Sequence, residues 1–179
     1  MVKSKIFIFM GVICCMCLLS ACFSFRAREL GKTGQELEIL DEQAHVILKA
    51  LEGNDFALLS PVLSGKALET EDLQEGFDYS CKLLETEQVV ELEQGGCPIS
   101  SHYGAGNSYK KSNASYRVKT ESGRTLNLYF EYWYSHESDK TVLGVNRIKL
   151  YDLDTIDENF KAGRLYERAG IYNPNWDSE

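Results

Sequence analysis

Thr125-Leu-Asn-Leu-Tyr-Phe-Glu-Tyr-Trp-Tyr134 alternates with a period of two along its whole length. Leu126, Leu128, Phe130, Tyr132 and Tyr134 share one parity, and Asn127, Tyr129, Glu131 and Trp133 the other. Successive side chains of a strand point to opposite faces, so this pattern predicts a half-buried strand with one apolar face. The second face is unusual, because it too carries aromatic residues around a single carboxylate.

Reading outward, Glu121-Ser-Gly-Arg124 is a turn centred on Gly123, and Ala114–Lys119 alternates before it, which predicts a hairpin. Downstream, Ser135–Lys140 is a polar turn and Val142–Leu153 a further strand, with Ile148 and Leu150 on one side and Arg147, Lys149 and Tyr151 on the other. Gln88–Glu93 is a fourth strand, and Gly95–Asn113 reads as a glycine- and serine-rich connection. Before the strands the period is that of helices. Leu37, Leu40, Ala44, Ile47, Leu48 and Leu51 recur at spacings of three and four behind the capping box Thr33-Gly-Gln-Glu36. Gly53 closes this helix, Asn54-Asp55 caps a short second one that ends at Pro61, and Thr70 caps a third. A last short helix begins at Thr155, and the segment after Gly170 has no period. Helices followed by hairpin-linked strands give the α+β class, with helices on one face of an antiparallel sheet of about four strands. A parallel sheet is disfavoured, since successive strands lack helical crossovers.

The chain has 179 residues, 44% of them hydrophobic, and a formal charge of −8. That composition excludes a disordered chain, and one apolar stretch at the N-terminus excludes a polytopic membrane protein. The acidic balance disfavours nucleic acid as a partner. Lys3 and Lys5 precede an uncharged run from Ile6 to Leu19, shorter than the ~20 residues a spanning helix needs. It ends in Leu19-Ser-Ala-Cys22, which resembles the lipobox of bacterial lipoproteins. The resemblance implies cleavage before Cys22, lipid on its thiol and a domain anchored on the extracytoplasmic face of the cell membrane. The alternative is an uncleaved anchor, with the uncharged run prolonged to Phe25. The expected organisation is a signal peptide at 1–21, a lipidated tether at 22–33, one domain over 34–170 and a loose tail at 171–179. Loss of the first 21 residues, with their two lysines, would leave 158 residues at −10. Cys81 and Cys97 remain as an even pair, either a disulfide closing a loop worth ~3 kcal/mol or two separate thiols with Cys81 buried on its helix.

Ala50-Leu-Glu-Gly-Asn-Asp55 followed by Leu63-Ser64, and later Leu143-Gly-Val-Asn-Arg-Ile148, resemble an uncharacterised family of small lipoproteins of Gram-positive bacteria. The order of elements is similar to the nuclear-transport-factor-2-like, or cystatin-like, fold. The resemblance spans Glu36 to about Asp154 and implies a bent sheet wrapping a helix around a conical cavity. Such cones serve catalysis in some relatives, small-molecule binding in others and dimerisation in many.

The chemistry-bearing motifs are few. His45, His102 and His136 are far apart, and no metal-ligand spacing accompanies them, so neither a metal nor a cofactor is expected. Gly104-Ala-Gly106 lacks the third glycine of a dinucleotide loop, and no nucleophile elbow is present. No catalytic set emerges. The candidate binding residues are Tyr129, Glu131 and Trp133 on the aromatic strand and Tyr103 in the connection. Clustered aromatic residues mark contact surfaces when exposed. The leading expectation is a non-enzymatic module that binds a small molecule or an envelope protein through this face or the cone. The rivals are an enzyme with Glu131 or His45 as base, and a homodimer formed through the sheet.

Overall fold

The computed structural model describes residues 34–85, 87–152 and 168–173. The expected signal peptide, Cys22, the tether, the Thr33 cap, the helix from Thr155 and the end of the tail lie outside the described residues. The chain divides into two compact units, Met1–Ile39 and Leu40–Glu179. Of the first, residues 34–39 are described, and they are helical. All that follows concerns the second.

The helical run covers 34–52, and its part in the second unit, 40–52, is called α1. Leu40, Ala44, Ile47, Leu48 and Leu51 are buried, as their spacing predicts. Gly53 does not take the left-handed turn expected of it. Asn54 does, at φ 48°, while the Gly53 amide still donates to Lys49 and Asp55 returns to the Ala50 carbonyl at 2.8 Å. Asparagine tolerates that conformation better than other side-chain-bearing residues. Asp55 then caps α2 (Phe56–Leu59), accepting from the Leu58 amide. After a 3-10 turn at Ser60–Val62, Ser64 caps α3 (Gly65–Leu68) through the Ala67 amide at 3.0 Å. Helix α4 (Leu73–Leu83) buries Leu73, Gly76, Phe77 and Ser80. Thr70 is not its cap. Its hydroxyl donates toward the carbonyls of Lys66 and Ala169, and Asp72 takes the N-cap position with no capping bond, its carboxylate instead 3.2 Å from the Arg168 guanidinium.

The six strands among the described residues are β1 (Val89–Gly96), β2 (Ile99–His102), β3 (Tyr109–Thr120), β4 (Thr125–His136), β5 (Gly144–Asp152) and β6 (Gly170–Ile171). They form one mixed sheet in the order β1-β3-β4-β5-β6, with β2 pairing β3 beyond the end of β1. The class is α+β, and the four expected strands are β1, β3, β4 and β5. The two additions are short. β2 arises inside the glycine- and serine-rich connection, and β6 lies parallel to β5 at Arg147 and Ile148. The tail expected from 171 therefore begins within a strand, with Ile171 fully buried. Gly76 makes room for it: a β-carbon there would meet the Ile171 carbonyl oxygen at 1.9 Å.

The core lies between α1 and one face of the sheet. Ala114, Tyr116 and Val118 of β3, Leu126, Leu128 and Phe130 of β4, and Ile148 and Leu150 of β5 are all buried there. Three bonds tie α1 across the sheet, one of them from the Gln94 side-chain amide to Asp41 at 3.3 Å. The Tyr116 hydroxyl donates to Asp41 at 2.6 Å, and the Val89 amide donates to Glu52 at 2.7 Å. Burial, reinforced by the Asp41 carboxylate, pushes the Tyr116 hydroxyl far above its ordinary range, so it stays a donor.

Candidate functional site

The opposite face of β4 carries Glu131, whose register explains its surroundings. Glu131 lies opposite Asn113 on β3 and Arg147 on β5. Immediately after it the β4–β5 register shifts, so that Tyr132 pairs with Val145 and Asn146 is left in a bulge. A bulge bends its strand and re-aims a side chain. Here it turns Asn146 onto Glu131. The β3–β4 register is regular from Lys119 to Lys111 and sets Lys111 opposite Trp133; a second shift falls only beyond it, between Lys110 and Lys111. Gly144, on the other side of Trp133, has φ 99°, and a β-carbon would lie 2.9 Å from the Val62 carbonyl oxygen. Only glycine fits a position that is both left-handed and this crowded.

The result is a buried polar knot. Glu131 is 4% exposed. One of its oxygens accepts from the Trp133 indole at 2.9 Å and from the Asn146 amide at 3.1 Å; the other accepts from Lys111 at 2.7 Å. Asn146 in turn accepts from the Ser64 hydroxyl at 3.0 Å, the same hydroxyl that caps α3. The Lys111 ammonium also sits 4.7 Å from the centre of the Trp133 ring, a cation–π contact. Burial by itself would raise the Glu131 carboxyl. The bonds from Lys111 and Trp133 and the charges of Arg147 and Lys111 outweigh it, and the net shift is downward. Glu131 is thus an ionised anchor whose two oxygens are both engaged, which makes it a poor proton acceptor.

From Trp133 an aromatic row runs to the edge of the sheet. His102 lies opposite Tyr109, and Tyr109 opposite His136. Their rings stack at 5.4 and 6.0 Å, and Trp133 leans on both Tyr109 and His136 at 5.4 and 5.2 Å. Rings stacked in this way turn their faces to one another, so edges and the outer face of His102 are what the row offers to a partner. Nδ1 of His136 accepts from the Asp139 amide at 3.0 Å, fixing the loop that follows β4.

Of the residues nominated from the sequence, Glu131 and Trp133 are joined directly. Tyr129 is half-buried one step down the same face, opposite Ser115 and Lys149. Tyr103 stands at the turn after β2, 84% exposed. His45 is exposed on α1, with its ring nitrogen on the Asp41 carbonyl, away from Glu131. Cys81 and Cys97 are both free thiols. Cys81 lines a cleft with Leu51 and Glu52, whereas Cys97 touches the Tyr116 hydroxyl beside Asp41, so they belong to opposite ends of α1. Ten helical residues between those ends span about 15 Å, beyond the reach of a disulfide. Burial and the nearby Asp78 push the Cys81 thiol up to about 11.

The partners that escaped the sequence reading are Lys111, Asn146, Ser64, Tyr109, His102 and His136. Two of them had a signal: Ser64 and Asn146 belong to the two separate stretches that carry the family resemblance, and their mutual bond unites those stretches. A family model described as a domain of unknown function (DUF5104) matches residues 46–158. The chain belongs to that family. The matched span contains Ser64, Lys111, Glu131, Trp133 and Asn146, the whole of the polar knot. No curated protein matches the chain. Among the described residues no helix is long and apolar enough to cross a membrane, and no group of three or more histidine, cysteine or acidic side chains is placed to hold a metal ion.

Proposed function

We propose that this protein is a lipid-anchored, extracytoplasmic binding module, and that its contact surface is the aromatic end of the sheet around Trp133, Tyr109 and His102. The observation that carries the reading is the Glu131 knot. A buried charge network is weak evidence for stability, since well-packed apolar side chains do as well or better. What it does supply is a fixed indole and a fixed ammonium next to an accessible edge, which is how a recognition surface is preorganised. The lipobox-like Leu19-Ser-Ala-Cys22 supports anchoring through Cys22, and the apolar face of α1 against the antiparallel β1, β3, β4 and β5 of the mixed sheet supports a nuclear-transport-factor-2-like cone. The engaged oxygens of Glu131 favour binding over base catalysis.

Two experiments test the reading. A Cys22→Ala chain expressed beside the wild type is expected to lose lipid labelling and accumulate as precursor; identical migration with no lipid on either chain refutes anchoring. A photo-crosslinking residue at Tyr103 in the anchored protein is expected to give a discrete adduct that disappears in Trp133→Ala. Adducts unchanged by that substitution would place recognition elsewhere.

A further inference from the structure

A second surface lies on the outer edge of β1. Among the described residues this strand pairs β3 on one side only, in regular register from Glu91 to Gln94, and register shifts bound that window at both ends. On the outer side, the Val89 amide is taken by Glu52 of α1, and Val90 in the first bulge is 62% exposed. A cleft of about 360 Å³ runs beside the edge, lined by Leu48, Lys49, Glu52, Val90 and Leu92 among others. Glu91 and Glu93 point to one face, where they meet Lys119 at 2.7 Å and Arg117 at 3.2 Å in pairs that are about half-exposed. Exposed pairs of this kind contribute little and exchange partners readily.

We propose that this edge accepts an extended segment of another protein by strand addition, with lysine or arginine alternating with small aliphatic residues. Strand addition draws affinity from main-chain hydrogen bonds and specificity from alternate side chains. The basic residues would stand beside Glu91 and Glu93, where opposite charges on neighbouring strands attract. The aliphatic ones would fall toward Leu48 and Leu92 in the cleft. A second copy of this chain is the wrong occupant, because two β1 strands side by side set glutamates against glutamates. The same charges that block self-pairing, as edge strands commonly require, select a basic partner.

The test uses the full-length protein in detergent and a blocked nine-residue peptide of alternating lysine and valine. Saturable binding is expected, with amide exchange across 90–94 slowed about tenfold or more, and affinity about tenfold weaker for the Glu91→Lys, Glu93→Lys double variant. The same peptide N-methylated on alternate amides keeps its charge but cannot pair, and it should bind at least tenfold more weakly without any risk to the protein's own folding. Equal binding by the methylated peptide, protection confined to other strands, or concentration-dependent self-association that itself protects β1 would each overturn the proposal.

Discussion

The two faces of β4 contrast sharply. Leu126, Leu128 and Phe130 on one face are fully buried in the core under α1. Glu131 on the other is nearly as buried, yet it is surrounded by an ammonium, an indole and an amide. The apolar face gains stability from every methylene removed from water, about 1.5–3 kcal/mol for a large side chain. The polar face must recover the cost of desolvating charges, and it does so only while each partner stays in place. One face holds the fold and the other holds a geometry.

The largest break in this comparison is expected on the apolar side. Phe130→Ala opens a cavity beside Tyr116, whose ring stacks on it at 5.9 Å, and should lower unfolding free energy by about 3–5 kcal/mol in denaturant titrations. Lys111→Ala comes next. It leaves Glu131 buried with Asn146, Trp133 and Arg147 but no ammonium, and about 2–3 kcal/mol should be lost. If the knot serves geometry, the joint replacement Lys111→Met with Glu131→Leu should be milder than Lys111→Ala alone. A double variant worse than the single one would make the knot a stability element.

A third effect sharpens the contrast through pH. The Glu131 carboxyl is held below its ordinary range in the folded chain. Its contribution is therefore complete above the unfolded value of about 4.3 and is lost as pH falls through the folded one. Comparing wild type with Glu131→Gln, the stability gap should be constant from pH 6 to 8 and close on acidification; a gap independent of pH down to 3 would deny the charge any role. The smallest effect is chemical. Cys81, with its thiol at about 11, should alkylate far more slowly at pH 8 than a free thiol in solution, and mass spectrometry of the native protein reads this directly.

The amino-acid order made the class legible. A helical stripe from Leu40 to Leu51 and four alternating segments at β1, β3, β4 and β5 depend on local periodicity, which neighbouring residues encode by themselves. Glu131 and Trp133 were also visible, as a carboxylate among rings. Their partners were not: Lys111 comes from the neighbouring strand, Asn146 reaches Glu131 through the β4–β5 bulge, and Ser64 reaches Asn146 from a helix cap, and no local pattern announces a bulge. The same holds for β6, a two-residue strand that pairs β5 and fits where Gly76 leaves room for it. Thr70 looked like a cap by composition, but its hydroxyl found the Ala169 carbonyl, ninety-nine residues away.

By itself, then, the sequence determined the helical stripe of α1, the four longer strands and which parity of β4 enters the apolar core, since period and hydrophobicity are properties of consecutive residues. Only the tertiary structure decided that the glutamate on the outward parity of β4 is buried, charged and bonded to three elements. Burial of a polar group depends on what the rest of the chain brings to it, and here that means Lys111 from β3, Asn146 turned onto the carboxylate by one bulge, and the Ser64 helix cap holding Asn146.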